Sequence, residues 1–317
     1  MIPFFRFTAI SGILMAVCCF AACQSDVDHW KSAQTEWEQK DYLGAIIELN
    51  TCISLDQQSD SIFLLRARCY QKIQNDSQAM GDFKQALLLN PNCDAARLDL
   101  ARLQIIYTDT TNAGKSLRQL IISPTSRIRS DAWIEMGRMD YFSDRFPLAI
   151  QAMNQAIQAD SSNHLAWYYR GLLFSRFFTP QGETRPATYP FLDFPAAISD
   201  FEQCIRLKPD FADAWYQRAV VYFNQFDEQH GMPDINQAIR LEPKYSYYYS
   251  ARAHQHSVSG RLQDALNDYN TSVNLNALDP EALLGRAEVW EKLGQKSNAE
   301  KDRHAAAIIA LSSKNKD

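Results

Sequence analysis

The amino-acid sequence predicts an all-α fold in which helical hairpins stack into a solenoid, and three observations support that prediction. The chain of 317 residues repeats itself with a basic period of 34 from residue 26 to residue 313. Two positions of every repeat hold only Ala or Gly. Prolines fall at or beside several junctions between repeats, where they end helices. One hairpin cannot bury its own apolar face, so consecutive hairpins must stack on each other.

Eight repeats account for most of the chain, and each is expected to form two antiparallel helices. They cover residues 26–59, 60–93, 94–129, 130–163, 164–211, 212–245, 246–279 and 280–313, which leaves a tail of 314–317. Two helices approach closely only where no bulky side chain separates them, so the two small positions mark the helix crossing. The first position holds Ala33, Ala67, Ala101, Gly137, Gly171, Ala219, Ala253 and Ala287, and the second holds Ala45, Ala79, Ala113, Ala149, Ala197, Gly231, Ala265 and Ala299.

The repeat at residues 60–93 resembles the tetratricopeptide repeat, a helix-turn-helix unit of 34 residues. The residues that carry the resemblance are Ala67, Tyr70, Ala79, Phe83, Ala86 and Pro91. The resemblance extends over nearly all of residues 26–313 and implies a right-handed α-solenoid. It also implies a protein-binding scaffold in which the first helix of each hairpin lines a concave groove.

Arginine and aspartate occur together at two further positions of the repeat. Where the seventh residue is Arg, the residue at the twenty-third position is Asp, as in Arg66 with Asp82 and Arg218 with Asp234. The remaining pairs are Arg170 with Asp200, Arg252 with Asp268 and Arg286 with Asp302. We interpret them as ion pairs within each hairpin, since a carboxylate matches the planar guanidinium. An arginine ladder for anionic ligands is the functional alternative.

The groove positions of the family are rich in aromatic residues here. At the second, fifth, ninth, twelfth and thirteenth positions they include Arg138, Tyr141, Phe142, Tyr168, Arg176, Tyr216, Phe223, Tyr247 and His254. An aromatic, sparsely charged groove suits an extended peptide or a partner helix, although single rings could instead pack between repeats. Trp30 and Gln34, or Leu64 and Arg68, replace the Lys and Asn that the family's chaperone-tail receptors use to hold a C-terminal carboxylate. An Hsp90-type tail is therefore disfavoured.

The repeat at 164–211 carries an insertion at residues 179–192 between its helices. Its prolines favour an extended loop, and Tyr189 and Phe191 are candidate binding residues within it. Gly231 and Pro233 in the next repeat are expected to delay the start of that repeat's second helix. Loops of this kind on a rigid scaffold often bind ligands, but insertions at hairpin tips are also tolerated neutrally.

The first 22 residues have the features of a bacterial lipoprotein signal peptide. Residues 7–22 are uncharged and mostly apolar, a stretch shorter than the roughly 20 residues that span a bilayer. The run Ala21-Ala22-Cys23 resembles the lipoprotein cleavage box, which implies lipidation of Cys23 and a tether at 23–25. Ordinary cleavage near Ala22 is the alternative. Gln24, which is not Asp, implies sorting to the outer membrane, and the acidic run at 24–28 resembles the export tags of surface lipoproteins or a solvated linker.

Composition and motifs exclude several function classes. A net charge of −5 offers no basic surface for nucleic acid. The sequence lacks phosphate-loop, zinc-protease, Cys-x-x-Cys and serine-hydrolase motifs, so we expect no enzyme, no cofactor and no metal. Cys52 and Cys204 occupy a position that is Ala in four other repeats and are expected to be small core residues. A disulfide among Cys52, Cys69, Cys93 and Cys204 is the alternative in an oxidising envelope.

These observations predict a lipid-anchored scaffold in a bacterial cell envelope whose partner is an unidentified envelope protein or peptide segment. The alternative is an accessory glycan- or nutrient-binding lipoprotein, because exposed aromatic rings stack on sugars as well as on peptides. That ligand would bind to rings of the groove or to Tyr189 and Phe191 in the inserted loop.

Overall fold

The computed structural model of the protein describes residues 29–55, 59–175 and 192–314, and all regular structure in these ranges is helical. The all-α prediction is therefore confirmed. The chain forms two compact units, which divide between Ser143 and Asp144. The predicted signal peptide, the predicted lipidation site Cys23, and the candidate residues Arg176, Tyr189 and Phe191 lie outside the described residues.

The first unit contains seven described helices. They are α1 (29–38), α2 (Tyr42–Ser54), α3 (Asp60–Lys72), α4 (Asp76–Leu89), α5 (Asp94–Ile106), α6 (Thr110–Leu120) and α7 (Ser126–Phe142). Helices α3 and α4 form one hairpin, and α5 and α6 form the next.

The second unit contains nine described helices. They are α8 (Phe146–Ala159), α9 (His164–Ser175), α10 (Phe194–Leu207), α11 (Ala212–Asn224), α12 (Glu228–Leu241), α13 (Ser246–Val258), α14 (Leu262–Leu275), α15 (Pro280–Lys292) and α16 (Lys296–Lys314). The hairpins α9–α10, α11–α12, α13–α14 and α15–α16 pack tightly, and each contacts the next.

Several turns between the two helices of a hairpin use the same local chemistry. A residue with positive φ ends these turns in both units, and among the described residues it is Gly at Gly260 and Gly294, with φ of 76° at both. Elsewhere an ordinary residue adopts this conformation, for example Phe226 with φ 59°. Where the next residue is Asp or Asn, its side chain caps the second helix, as when Asp227 accepts a hydrogen bond from the His230 amide.

The small residues lie where the helices approach most closely. Every residue at both small positions is buried. A Cβ atom at Gly171 would lie 2.9 Å from the Phe201 ring, and one at Gly231 would lie 2.4 Å from the Phe223 ring. Both distances are shorter than van der Waals contact, so glycine permits the ring of the partner helix to pack directly on the backbone.

The expected delay of the second helix in repeat 212–245 is wrong. Helix α12 begins at Glu228 and contains both Gly231 and Pro233. The Asp227 cap sets the start of the helix, and Pro233 removes only one amide donor near that end. Gly231 serves close packing against Phe223 and does not break the helix.

Candidate functional site

The five predicted arginine–aspartate pairs form inside their hairpins, which confirms the structural interpretation. Arg66 Nε and Nη2 donate to the two carboxylate oxygens of Asp82, both at 2.7 Å. The same fork joins Arg170 to Asp200, Arg218 to Asp234, Arg252 to Asp268 and Arg286 to Asp302 at 2.7 to 2.8 Å. All five aspartates are buried, so each guanidinium is neutralised within the fold.

An asparagine of the preceding repeat binds the remaining side of four of these arginines. Arg66 Nη1 donates to Asn50 Oδ1 at 2.6 Å, and Arg252 Nη1 donates to Asn236 Oδ1 at 2.6 Å. Asn154 and Asn270 accept from Arg170 and Arg286 in the same way. Each of these arginines therefore connects three helices. The sequence analysis did not predict the contact with the third helix, which carries the asparagine. The recurrence of Asn at the twenty-fifth position was the available signal.

An aromatic ring covers the guanidinium in four of the five pairs. Arg218 lies 5.1 Å from the Trp215 ring centroid, and Arg170 lies 5.1 Å from that of Trp167. Phe63 and Tyr249 lie against Arg66 and Arg252. Rings at this distance stabilise a cation and cover its face. These arginines are thus part of the scaffold and do not form a ladder for anionic ligands.

The groove positions of the first unit carry a chain of ion pairs that runs from repeat to repeat. Arg68 Nε donates to Asp99 Oδ2 at 2.8 Å, and Arg102 Nε donates to Glu135 Oε1 at 3.0 Å. Arg138, a predicted binding residue, donates to Glu135 Oε2 at 2.8 Å. Glu135 is buried, so this carboxylate is held between two cations. We call this set of charges the ionic ladder.

The other predicted residues of the first unit lie at the end of α7. Tyr141 is half-buried, and its ring meets that of Phe142 edge to face at 5.4 Å. Phe142 is 67% exposed. Near the other end of this unit, an open pocket of 310 Å³ includes Trp30, Gln34, Leu64 and Arg68, the residues that stand at the family's carboxylate-clamp positions.

The second unit contains an open pocket of 440 Å³ that brings together three predicted binding residues: Tyr216, Tyr247 and His254. We call it the aromatic pocket. Its lining comprises Tyr216 from α11, Tyr247, Ser250, Ala251 and His254 from α13, Tyr269 from α14, and Asp279, Glu281, Leu284, Gly285 and Glu288 at the start of and along α15.

A cluster of tyrosines forms one end of the aromatic pocket. The ring centroids of Tyr216 and Tyr247 lie 5.2 Å apart, and that of Tyr248 lies 4.5 Å from Tyr247. The hydroxyls of Tyr247 and Tyr248 both donate to Asp213 Oδ1 at 2.7 Å. One carboxylate oxygen thus fixes two rings that follow each other in sequence, and edge-to-face contacts fix their neighbours.

The tyrosines of the pocket stay protonated at neutral pH. Burial, and then the charges of Asp213 and Glu281, raise the pKa of Tyr216 to about 12. Burial and the charge of Glu288 raise the pKa of Tyr269 to about 12. Glu281 and Glu288 therefore place negative charge close to these rings.

Two other predicted groove residues pack inside the scaffold. Tyr168 lies edge to face with Phe211 at 5.0 Å and also contacts Phe201. Burial and the charge of Asp213 raise its pKa. Phe223 packs on the backbone of Gly231. Neither ring lines the aromatic pocket.

The acidic wall of the pocket was missed by sequence reasoning. Glu281, Leu284 and Glu288 occupy the second, fifth and ninth positions of the last repeat, which are groove positions of the family. Applying those positions to the last repeat would have found them. Within the described part of the chain, no three His, Cys, Asp or Glu side chains group as a metal site, and no helix is long and apolar enough to cross a bilayer.

Family models match two parts of the chain. A tetratricopeptide repeat model matches residues 212–245, which contain α11 and α12. Residues 212–245 are therefore identified as a tetratricopeptide repeat (TPR). A model of the protein prenyltransferase alpha subunit repeat matches residues 147–177.

Curated relatives and solved structures are similar to this chain over different lengths. Serine/threonine-protein phosphatase 5 of Rattus norvegicus is 30% identical over 33% of this chain and 21% of its own length. Tetratricopeptide repeat protein 16 of Macaca fascicularis is 24% identical over 77% of this chain and 26% of its own length. The chain therefore spans about a fifth to a quarter of these relatives. The human IFIT1 dimer with PPP-AAAA shares the fold, with TM-score 0.57, 15% identity, and coverage of 86% of this chain and 69% of that one.

Proposed function

We propose that this protein is a lipid-anchored TPR scaffold of a bacterial cell envelope that binds an extended segment of a partner protein in its groove. The observation that carries the proposal is the aromatic pocket, where Tyr216 and Tyr247 stand beside exposed His254 and Leu284. Rigid rings held by neighbouring groups are effective anchors for a peptide because they lose little conformational entropy on binding.

The scaffold supports such binding because its own charges are satisfied elsewhere. The arginines of the hairpins are paired with buried aspartates, and Arg68, Arg102 and Arg138 belong to the ionic ladder. A rigid stack with internally paired charges presents the pocket residues in a fixed arrangement. A preorganised surface of this kind binds a peptide without having to order itself first.

The N-terminal sequence supports the anchor. An apolar run of residues 7–22 precedes Cys23, and lipid chains on this residue would hold the protein at the membrane, with Gln24 directing it to the outer membrane. One acyl chain gives marginal binding at ~0.8 kcal/mol per buried methylene, whereas several chains anchor stably.

The anchor is tested with Cys23→Ser in the native host. Lipidation at Cys23 predicts that the wild-type chain incorporates an alkyne-labelled palmitate and remains with membranes after carbonate extraction. We expect the variant to lose both properties. A variant that keeps the label would place lipidation elsewhere, and an unlabelled wild-type chain would favour ordinary signal cleavage.

Protein binding is tested by photo-crosslinking in intact cells. Benzoyl-phenylalanine replaces His254, which is exposed in the aromatic pocket, and in a matched control it replaces Asn274, which is exposed on α14 outside the pocket. We expect a defined protein adduct from position 254 and none from position 274, with mass spectrometry naming the partner. Equal adducts from both positions would contradict groove binding. Saturable glycan binding without any adduct would favour the accessory glycan-binding alternative.

A further inference from the structure

We propose that the segment bound in the aromatic pocket is positively charged and that a Lys or Arg side chain of the partner lies between the tyrosine rings and the carboxylates of Glu281 and Glu288. This proposal rests on the proposed function, since it names the chemistry of the segment that the groove binds.

The charge of the pocket wall favours a cation. Asp279, Glu281 and Glu288 line the pocket, and none of its lining residues is Lys or Arg. Glu281 and Glu288 lie two turns apart on α15 and are both exposed. Neither carboxylate forms an ion pair within the described part of the chain. Asp279 is already used, because it caps α15 through the amides of Glu281 and Ala282.

In the first unit, arginines at a groove position neutralise carboxylates of the chain itself. There, the ninth position of successive repeats holds Arg68, Arg102 and Arg138, and these arginines bind Asp99 and Glu135. In the second unit the same position holds Leu172, Val220, His254 and Glu288. The ninth-position arginines of the first unit thus have no counterpart in the second unit, where Glu281 and Glu288 remain available to a cation from a partner.

The rest of the pocket fits the stem and head of a long cationic side chain. The rings of Tyr216 and Tyr247 attract a cation through their faces, and Leu284, which is 45% exposed, offers an apolar surface for methylene groups. At the floor, Tyr269 is only 5% exposed, and its hydroxyl has no hydrogen-bond partner among the described residues. A Cβ at Gly285 would lie 2.3 Å from this hydroxyl, so glycine lets it reach the pocket.

The test measures binding of three fluorescein-labelled nonapeptides to the full chain in detergent by fluorescence anisotropy. The first peptide alternates Ala with Arg, and the other two replace every Arg with Gln or with Glu. We expect the Arg peptide to bind at least tenfold more tightly than the Gln peptide and the Glu peptide not to bind. The preference should weaken as salt rises, because exposed charges are screened.

Two pairs of substitutions locate the binding. Glu281→Gln with Glu288→Gln removes both pocket charges, and we expect the Arg peptide to bind at least fivefold more weakly. The matched control is Glu242→Gln with Glu300→Gln, which removes two exposed carboxylates outside the pocket and should change affinity by less than twofold. His254→Lys adds a positive charge to the pocket at an exposed site and should also weaken the Arg peptide.

The outcomes separate this proposal from the proposed function. Equal binding of the Arg and Gln peptides, or an equal loss in the pocket and control variants, would overturn the cationic ligand. In that case a protein adduct at position 254 would still support the scaffold. Absence of any protein adduct, together with no peptide binding, would overturn both.

Discussion

Replacing Asp234 with Ala tests the main energetic claim about the scaffold, namely that the arginine–aspartate pairs hold each hairpin together. Asp234 is 5% exposed and accepts hydrogen bonds from Arg218 Nε and Nη2 at 2.7 and 2.8 Å. The substitution leaves a guanidinium that is mostly buried, with only Glu202 at 3.8 Å as a remaining carboxylate. Removing one partner of a buried pair typically costs about 3–5 kcal/mol, because the other charge stays desolvated and unpaired.

That cost is a large part of the 5–15 kcal/mol by which proteins of ordinary stability remain folded. For a chain of this size we expect the melting temperature to fall by on the order of 10 °C. Thermal unfolding followed by circular dichroism at 222 nm measures the change. Glu202→Ala is the matched control, because Glu202 is about half exposed and is the more distant carboxylate beside Arg218. It should cost about 1 kcal/mol or less.

A second variant tests whether the destabilisation comes from the unpaired Arg218 charge or from lost packing at the Asp234 side chain. Replacing Arg218 with Met and Asp234 with Leu together removes both charges and keeps an apolar filling, so it should recover much of the stability that Asp234→Ala loses. An unchanged melting temperature in Asp234→Ala would refute the pairing argument. A double variant that is less stable than Asp234→Ala would show that the cost does not come from an unpaired charge.

Three further predictions concern the turn, a histidine and the thiols. Phe226→Asn should raise the free energy of unfolding by about 1 kcal/mol, because Phe226 is 88% exposed at positive φ and Asn tolerates that conformation. Unfolding in urea measures this change, and a less stable variant would show that the Phe226 ring contributes packing. Burial and Arg261, which donates to Nδ1 at 2.8 Å, lower the pKa of His256 in the folded state, so stability should fall as pH drops below about 6.5. His256→Gln should reduce that loss between pH 7 and 5, and an unchanged pH profile would contradict it. Burial raises the pKa of Cys204 to about 12, so this thiol should resist alkylation by iodoacetamide until the chain unfolds. Half-buried Cys93 should react earlier. Mass spectrometry of partly labelled protein measures the order of labelling, and labelling of Cys204 before Cys93 would contradict this prediction.

Much of the scaffold could be predicted from the sequence because its interactions recur with the period of the repeat. The pairing of Arg66 with Asp82 spans 16 residues, and the same spacing returns in three later hairpins. In the repeat with the insertion, Arg170 and Asp200 form the equivalent pair across 30 residues. The buried small residues follow the same rule. The asparagine contacts were equally periodic and could have been found. The first residue of α12 could not be predicted from the sequence. The Asp227 cap favours a helix that begins at Glu228, whereas Pro233 favours a later start, and local rules alone do not decide between the two.

The environment of the cysteines could likewise be predicted only in part from the sequence. Their repeat position identified Cys52 and Cys204 as core residues, and both are buried. In the structure Cys69, Cys93 and Cys204 are free thiols, a point that the sequence left open. The geometry needed for a disulfide depends on Cβ positions in different helices, and the sequence pattern does not supply them.

The sequence by itself determined the all-helical repeat architecture and the ion pairs inside each hairpin, because both depend on short, repeated spacings. Only the tertiary structure decided which groove residues face an open pocket. Arg138 is bound to Glu135, and Tyr168 packs against Phe211, while Tyr216, Tyr247 and His254 meet Glu281 and Glu288. Whether a groove charge is paired depends on the side chains beside it, some of which come from a neighbouring repeat, as Asp99 does for Arg68. That choice differs from repeat to repeat, and so the period that specifies the fold does not specify the site.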